Sequence, residues 1–337
     1  MTADVTAAVP DLRHAAPALA VAIDETALPA DVPAAQWDRA LTGPLVDYLR
    51  RPGKELRGRL AAIAWQLAGG RGPIPAAIPL AIEALHAGSL IVDDVQDDAA
   101  VRRGGPALHV VAGVPLAINT GNWLYFWALE QLAGIDVDPR AGCAMHRLAV
   151  KTLLDCHQGQ ALDLAVRVFD LEAARVPAVV AAVTRGKSAA LMAMAAQLPA
   201  IAAGAAPAVI EALGGLGAGL GTGLQMLDDL GGLAKARRAK GLEDLRGGRA
   251  TWPWAWLAEK GDQLAYARLQ HRARAATDDA ELEHVAELLY AEVESIGRGR
   301  ARAALAGALA RAHDGDSDHP ALVGLAADVH LLESSYG

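Results

Sequence analysis

Residues 90 to 109 read LIVDDVQDDAAVRRGGPALH, a stretch that crowds four aspartates and two arginines into a short span of chain. Asp93 and Asp97 stand four residues apart, so on a helix they share a face, with Asp94 beside them, and their charges repel. A divalent metal relieves such repulsion, and carboxylate oxygens suit Mg2+, which completes its shell with water and phosphate oxygens. The two arginines that follow are suited to gripping a phosphate group. The stretch therefore predicts a site for Mg2+ and phosphate.

An isolated Asp-Asp-x-x-Asp is more often a solvated surface cluster than a metal site. The residues before this one favour the metal site, because the run from 84 to 92 contains no carboxylate, lysine or arginine. Such an apolar run predicts a buried helix whose end delivers the aspartates into an interior cavity.

Composition predicts an all-α protein. Hydrophobic residues make up 53% of the 337 residues and aromatic residues only 4%, and no stretch shows the sustained alternation of a strand. The formal net charge of -8 opposes a nucleic-acid partner. With two cysteines and no secretory signal, a cytoplasmic location is expected. No linker divides the chain, which predicts one domain over residues 34–337, preceded by an N-terminal arm, residues 1–33, that is at most partly ordered.

Turn signals separate eleven predicted helices. Their ranges are 34–50, 53–68, 75–98, 115–132, 140–168, 176–203, 207–237, 251–275, 279–292, 296–312 and 319–334. Residues 188–210 are uncharged but rich in alanine, and we interpret them as buried helices, so no membrane span is expected. The glycine-rich run 214–223 follows no strand, which favours close helix packing over a phosphate-binding loop. It leads into a second acidic pair, Asp228 and Asp229.

Several motifs occur in a fixed order with these two clusters. They are Gly53-Lys54-Glu55-Leu56-Arg57, His86, residues 93–97, residues 102–109, Gly159-Gln160-Ala161-Leu162-Asp163-Leu164, Gly186-Lys187-Ser188, residues 225–229, and Lys240-Gly241-Leu242-Glu243-Asp244-Leu245 followed by Arg249. In this order and spacing the chain resembles the trans-isoprenyl diphosphate synthases, the polyprenyl synthetase family. The resemblance covers residues 45 to 260.

The resemblance implies an isoprenoid-synthase helical bundle, in which two aspartate-rich motifs face each other across a central cavity. It implies an Mg-dependent prenyltransferase that condenses an allylic prenyl diphosphate with isopentenyl diphosphate to give a longer all-trans prenyl diphosphate. It also implies a homodimer. By the same resemblance, three Mg2+ ions bind the allylic diphosphate.

The resemblance also implies roles for individual residues. The metal ligands are Asp93, Asp94, Asp97 and Asp228, with Asp229 either behind them or as an additional ligand. Isopentenyl diphosphate binds to Lys54, Arg57, His86 and Arg103, the allylic diphosphate contacts Arg102, Lys187 and Lys240, and Gln160 and Gln225 line the cavity. The catalytic set comprises the four metal ligands and Lys187, because metal and cations stabilise the charge that develops on the departing diphosphate.

Product length can be argued from the residues that precede Asp93 on its helix, which are expected to line the wall that stops the prenyl tail. These residues are Ala84, Leu85, Gly88 and Ser89. None is aromatic, which predicts a product of C20 or longer. The aromatic residues between 123 and 127 are the alternative floor of the pocket.

Two other functions stay open. A terpene cyclase derived from the same family would ionise and cyclise one prenyl diphosphate, and Gly232, which replaces the third aspartate of the second motif, favours it. The retained Lys54, Arg57, His86 and Arg103 favour elongation, because a cyclase has no second diphosphate to bind. A regulatory subunit of a heteromeric synthase is the third reading, and the intact first motif opposes it.

Overall fold

The computed structural model describes residues 15–51, 56–235, 238–311 and 319–336, and almost all of this chain is helical. The helices are α1 (Ala15–Asp24), α2 (Ala34–Trp37), α3 (Gly43–Leu49), α4 (Leu56–Leu67), α5 (Ala77–Gln96), α6 (Leu108–Ala112), α7 (Val114–Ala133), α8 (Pro139–Ala165), α9 (Val176–Thr184), α10 (Ala190–Ala202), α11 (Pro207–Leu233), α12 (Arg238–Arg246), α13 (Trp252–Glu259), α14 (Gln263–Ala275), α15 (Asp279–Arg311) and α16 (Pro320–Ser335). The all-α prediction is confirmed.

Short irregular segments complete the described chain. Five-residue π-helical turns, Asp38–Thr42 and Arg185–Ala189, join α2 to α3 and α9 to α10. Two 3-10 turns lie at Val168–Asp170 and Ala173–Arg175. The strands β1 (Val101–Arg102) and β2 (Gly105–Pro106) form an antiparallel hairpin.

The predicted helix boundaries differ from the observed ones at two glycines. The helix predicted over 251–275 is two helices, because Gly261 adopts a φ of 80° and Asp262 caps α14 by accepting from the amide of Ala265. The helices predicted over 279–292 and 296–312 are instead one, α15. Its Gly297 lies inside the helix, where an added Cβ would be 2.4 Å from the Trp256 ring, so this glycine serves packing. Helix α12 was not predicted.

The chain divides into two compact units. The first comprises the chain up to Ala149 together with Ala195–Ile210, and the second comprises Val150–Met194 and the chain from Glu211 onward. In the first unit α5 packs along α7, and α1 packs against α3 and α5 with Leu19 fully buried. In the second unit α13 packs against α9 and α15. The described part of the N-terminal arm thus includes a packed helix, and the single domain over 34–337 stays a prediction.

The glycine-rich run lies within α11, where it permits close contacts in the second unit. A Cβ on Gly217 would be 2.2 Å from the carbonyl oxygen of Met192, and one on Gly223 would be 2.6 Å from the side chain of Leu305. Both distances are far below van der Waals contact, so neighbouring helices approach the backbone of α11 directly. The prediction of close helix packing is confirmed.

One segment of the described chain, Ala173–Ala202, is long and apolar enough to cross a membrane by length and composition. The most apolar part of this segment has a mean hydropathy of 1.2 and is 39% buried within the protein. Core helices have the same properties. The expected absence of a membrane span therefore stays a prediction.

Candidate active site

The carboxyl end of α5 carries Asp93 and Asp97 on one helix face. The amide of Asp97 donates to the carbonyl oxygen of Asp93 at 2.9 Å, where the helix ends. The side chain of Asp97 is exposed and that of Asp93 is 17% exposed. Carboxylates at this end also face the negative pole of the helix dipole. A cation bound between Asp93 and Asp97 would offset the repulsion between the two carboxylates and their repulsion by the helix dipole.

Asp94 differs from these neighbours, because its side chain is fully buried. Its Oδ1 accepts a hydrogen bond from Nε of Arg102 at 2.6 Å and contacts Nη2 of the same guanidinium. Burial raises the pKa of Asp94, and the pairing with Arg102 opposes that rise. The other oxygen, Oδ2, is buried and has no hydrogen-bond partner among the described residues. This geometry makes Asp94 the anchor of Arg102.

The hairpin that follows α5 presents Arg102 and Arg103. Its two-residue turn, Arg103-Gly104, has φ angles of 52° and 73°, as the type I′ turns of hairpins require. The left-handed region disfavours any residue with a Cβ by about 1 kcal/mol, so the surroundings must hold Arg103 there. Nη1 of Arg103 is buried without a hydrogen-bond partner in the described chain. A charged donor in that state is suited to an anionic ligand.

Arg57 and His86 meet in the first unit. Nη1 of Arg57 lies 3.0 Å from Nε2 of His86. A guanidinium has no acceptor, so the histidine nitrogen must accept and the ring is neutral. Burial lowers the pKa of His86 well below its usual value, and the arginines Arg57, Arg103 and Arg102 lower it further. His86 therefore orients Arg57, while Lys54 lies outside the described residues.

Glu83 on α5 was not predicted as a site residue. It is only 4% exposed, and its Oε1 has no hydrogen-bond partner in the described chain. Burial raises the pKa of Glu83, and the charges of Arg57 and Arg103 oppose the rise. A glutamate inside an apolar helical run was the available sequence signal, since buried carboxylates are rare without a charged neighbour.

In the second unit, Asp228 near the end of α11 interacts with Lys240 on α12. Nζ of Lys240 donates to Oδ2 of Asp228 at 2.5 Å, and the phenol of Tyr336 lies 3.4 Å from Oδ1. Asp228 and Lys240 were both predicted as site residues. Tyr336 was not, because it stands 108 residues further along the chain.

Asp229 takes a structural position beside Asp228. It accepts hydrogen bonds from the amide of Trp252 at 3.0 Å and from Nε2 of Gln225 at 2.7 Å. Oε1 of Gln225 in turn accepts from the hydroxyl of Ser188 at 2.6 Å. Burial raises the pKa of Asp229 to about 6 against these hydrogen bonds. Gln225 was predicted to line the cavity, and both the oxygen and the nitrogen of its side-chain amide form hydrogen bonds within the protein.

Lys187 lies on the π-helical turn between α9 and α10. Its Nζ donates to Oδ2 of Asp163 on α8 at 2.8 Å, and Nη1 of Arg249 lies 3.8 Å from the same oxygen. Gly186 makes this approach possible, because a Cβ there would be 2.6 Å from the carbonyl oxygen of Asp155. Asp163 therefore holds two cations side by side. The predicted residue Gln160 lies one turn earlier on α8.

Gly232, which stands where the second motif of the resembled family has an aspartate, lies at the contact between α11 and α12. A Cβ on Gly241 of α12 would be 2.1 Å from the carbonyl oxygen of Gly232, so the backbones of α11 and α12 are in contact. A Cβ at position 232 would lie 3.6 Å from Gly241, which is an ordinary van der Waals distance. The missing carboxylate thus accompanies the close docking of α12, the helix that carries Lys240.

The residues predicted to line the tail pocket do not all face open space. A Cβ on Gly88 would be 2.7 Å from the carbonyl oxygen of Gly121 and 3.0 Å from the Tyr125 ring. Gly88 thus serves the contact between α5 and α7, and the Tyr125 ring fills the adjacent space. Of the other aromatic residues, Trp127 is buried and donates to the hydroxyl of Thr26, whereas Phe126 is 71% exposed.

The burial of Asp244 on α12 predicts that the stability of the fold depends on pH. Burial raises its pKa to about 7 despite the nearby Lys240. Such an acid binds its proton more tightly in the folded protein, so its ionisation destabilises the fold as the pH rises from about 4 to about 7. We expect the Asp244→Asn variant to lose less thermal stability across this interval than the original chain. Thermal unfolding in EDTA measures this, with the exposed Glu243→Gln as control. Parallel curves for the original chain and Asp244→Asn would contradict the assignment.

The donor set fits Mg2+. Among the described residues, no three histidine, cysteine or carboxylate side chains lie together as a complete metal site. Mg2+ does not need one, because it binds through one or two carboxylates and takes its other ligands from water and phosphate. Asp93 and Asp97 offer such a pair, and Asp228 offers a single carboxylate.

Comparison with known proteins identifies the family. The family model for polyprenyl synthetase matches residues 38–289. A geranylgeranyl pyrophosphate synthase from Eremothecium gossypii is 34% identical over 132 residues, which cover 39% of this chain and 41% of that protein. A geranylfarnesyl diphosphate synthase from Aeropyrum pernix is 32% identical over 224 residues, covering 63% of this chain and 68% of that protein. The match to the first relative thus spans less than half of its length.

A solved structure shows the same fold. The polyprenyl synthase from Caulobacter crescentus CB15, complexed with calcium and isoprenyl diphosphate, superimposes with a TM-score of 0.76 at 23% identity, over 97% of each chain. The fold is therefore the helical bundle of polyprenyl synthases. Because the family model spans most of the chain, this protein belongs to the polyprenyl synthetase family.

Proposed function

We propose that this protein is an Mg-dependent trans-prenyltransferase that joins an allylic prenyl diphosphate to isopentenyl diphosphate. The observation that carries the proposal is the cationic group in the first unit, Arg57 with His86 and Arg103, whose Nη1 is buried. The second unit contains a separate group, Lys187 with Arg249 on Asp163. A reaction between two diphosphates needs two such groups, whereas a cyclase needs only one.

In the proposed reaction, the cationic side chains of the two units bind different diphosphates. Lys187 and Lys240 bind the allylic diphosphate and stabilise the negative charge that develops on it as the allylic C–O bond breaks. Arg57 and Arg103 hold isopentenyl diphosphate so that its double bond can attack the allylic cation. A proton then leaves the new chain, and the departing diphosphate is a sufficient base. Because His86 is neutral, it orients Arg57 and adds no charge.

Mg2+, when bound, would neutralise the diphosphate and assist its departure. We propose Asp93, Asp97 and Asp228 as its ligands. The burial of Asp94 and its pairing with Arg102 favour an anchoring role for Asp94 over metal binding. The calcium and isoprenyl diphosphate in the Caulobacter crescentus polyprenyl synthase support metal-assisted diphosphate binding here. As the resemblance implies, we propose that three Mg2+ ions bind with the allylic diphosphate.

Product length belongs to the same proposal. The relatives named above are geranylgeranyl and geranylfarnesyl diphosphate synthases, which favours a product of C20 or longer. Position 88, one turn before the metal motif, is a glycine that packs against α7. No bulky side chain from that position of α5 therefore shortens the pocket.

The function is tested by incubating the protein and Mg2+ with each allylic diphosphate from C5 to C20, with and without isopentenyl diphosphate. Chromatography and mass spectrometry of the products give their chain lengths. We expect longer prenyl diphosphates only when isopentenyl diphosphate is present. A hydrocarbon released from one allylic diphosphate alone would establish the cyclase instead. Activity appearing only after addition of a second synthase would indicate a regulatory subunit.

We also propose that the protein forms a homodimer and works in the cytoplasm. Exposed apolar side chains line α6 and α7, among them Val111, Ile118 and Phe126, which are 59%, 40% and 71% exposed. Several exposed apolar side chains on two consecutive helices favour an interaction site there. The exposed thiol of Cys143 is suited to a reducing compartment.

The Phe126→Glu variant tests the dimer. A charge buried without a partner at an interface opposes association, so the variant should be monomeric at concentrations where the original chain is dimeric. Light scattering after size-exclusion chromatography measures the mass. The matched control is Leu331→Glu, which alters a 74% exposed leucine on α16. A dimer that withstands Phe126→Glu would place the interface elsewhere.

A further inference from the structure

Arg51 belongs to none of the motifs that suggested the function, yet its side chain donates hydrogen bonds to both strands of the hairpin that carries Arg102 and Arg103. It follows the C-terminal residues of α3. Its Nη1 donates to the carbonyl oxygen of Pro106 at 2.6 Å and to that of Arg102 at 3.4 Å. Its Nη2 donates to Asp47 at 2.9 Å, which fixes the guanidinium from the side of α3. One planar group thus joins α3 to both strands of the hairpin.

Tyr48 strengthens this junction. Its ring is fully buried, and the guanidinium of Arg51 lies 5.6 Å from the ring centre while that of Arg103 lies 5.9 Å from it. Both distances are in the range of favourable cation–π contacts. The same aromatic ring therefore contacts the arginine that holds the hairpin backbone and the arginine at the hairpin tip. The position of Arg51 and that of Arg103 are coupled through Tyr48.

The guanidinium of Arg51 packs directly against the backbone of Gly105 in the hairpin. A Cβ at this position would be 2.8 Å from both Cζ and Nη1 of Arg51. Gly105 pairs with Arg102 in the hairpin, so a displacement at 105 is passed to Arg102. Only a residue without a side chain lets the guanidinium reach the strand carbonyls.

We propose that Arg51 is a positioning residue that holds the hairpin in the conformation in which Arg103 binds a diphosphate. Arg103 has a left-handed φ of 52°, which is unfavourable for a residue with a side chain. Contacts from outside the hairpin are therefore needed to stabilise this conformation. Arg51 itself needs no contact with substrate for this role, because it acts through its hydrogen bonds to Asp47 and to the two strand carbonyls. This inference rests on the proposed function, in which Arg103 binds isopentenyl diphosphate.

The test is a double-mutant cycle between Arg51→Met and Gly105→Ala. We expect each single variant to raise the KM for isopentenyl diphosphate about tenfold while kcat changes less than about twofold. The double variant should be no worse than Arg51→Met, because the added methyl group then meets no guanidinium. Loss of folded protein alone would lower kcat and leave KM unchanged. The matched control is Arg50→Met, a change of the exposed neighbouring arginine.

An unchanged KM in Arg51→Met would overturn the proposal, and so would independent, additive effects of the two substitutions. If Arg51→Met does not fold, Arg51→Lys replaces it, because lysine keeps the charge but lacks the planar fork. An unchanged KM in Arg51→Lys and Gly105→Ala would then overturn the proposal. Failure of the proposed function looks different, since the original chain would make no elongated product. Calorimetric titration with inorganic pyrophosphate then replaces KM, and affinity unaffected by Arg51→Met would overturn the positioning role.

Discussion

Replacing Asp93 with alanine is expected to lower kcat by about a thousandfold or more, because a metal ligand contributes several kcal/mol to stabilising the departing diphosphate. Asp93 and Asp97 stand together at the negative end of α5, where a bound cation offsets their repulsion. If Mg2+ binds as proposed, the loss of one of the two carboxylates would weaken its binding and leave the charge on the leaving group poorly stabilised. Steady-state kinetics over a wide range of Mg2+ concentrations measure the loss. Full activity of Asp93→Ala at low Mg2+ would refute the metal role.

Two further variants separate the metal role from general charge effects. Asp98→Asn is the matched control, because Asp98 is exposed at the same helix end and asparagine tolerates its φ of 53°. Its activity should stay within about twofold of the original. Asp94→Asn should raise KM for diphosphate substrates without changing the Mg2+ requirement, since Asp94 pairs with Arg102. A shifted Mg2+ requirement in Asp94→Asn would restore Asp94 to the metal ligands.

Replacing Gly217 with alanine is expected to destabilise the protein by about 3 kcal/mol or more, which exceeds the helix propensity that alanine gains. The new Cβ would be 2.2 Å from the carbonyl oxygen of Met192 and 2.9 Å from Cα of Ala193. Both obstacles are backbone atoms, so the helices themselves must separate. Urea unfolding followed by circular dichroism measures the change in the free energy of unfolding.

Gly299→Ala on α15 is the matched control for this substitution. It is also a helical glycine, but nothing lies within 4 Å of the Cβ position. Alanine there should stabilise the protein by about 0.5 to 1 kcal/mol. Equal effects at positions 217 and 299 would show that helix propensity, and not close packing, determines the outcome.

The helical class and most helices followed from the sequence because apolar spacing reflects local geometry. Apolar spacing did not predict whether a helix ends or continues at Gly261 and Gly297. Gly261 lies inside a predicted helix, yet it adopts a left-handed φ and ends the helix there, whereas Gly297 lies near a predicted boundary, yet it stays helical and accommodates the Trp256 ring. Which of these a glycine does depends on its neighbours in the fold. The hairpin at 101–106 was missed because its strands have only two residues each.

Sequence reasoning located the acidic clusters but not the partner of each carboxylate. Adjacent helical residues point about 100° apart, so Asp93 and Asp94 differ in burial although the guanidinium of Arg102 lies near both. The sequence does not show which of the two faces the interior, and the structure buries Asp94 against Arg102. Asp163 was noted as part of a motif, but its role was not predicted, because its partner Lys187 is 24 residues distant and lies on the π-helical turn.

The central claim is elongation, and the ratio of pyrophosphate released to isopentenyl diphosphate consumed tests it most directly. The measurement combines the protein, Mg2+, a C15 allylic diphosphate and labelled isopentenyl diphosphate, and follows both quantities over time. Elongation predicts one pyrophosphate per isopentenyl unit incorporated. Pyrophosphate released at the same rate without isopentenyl diphosphate would contradict the account.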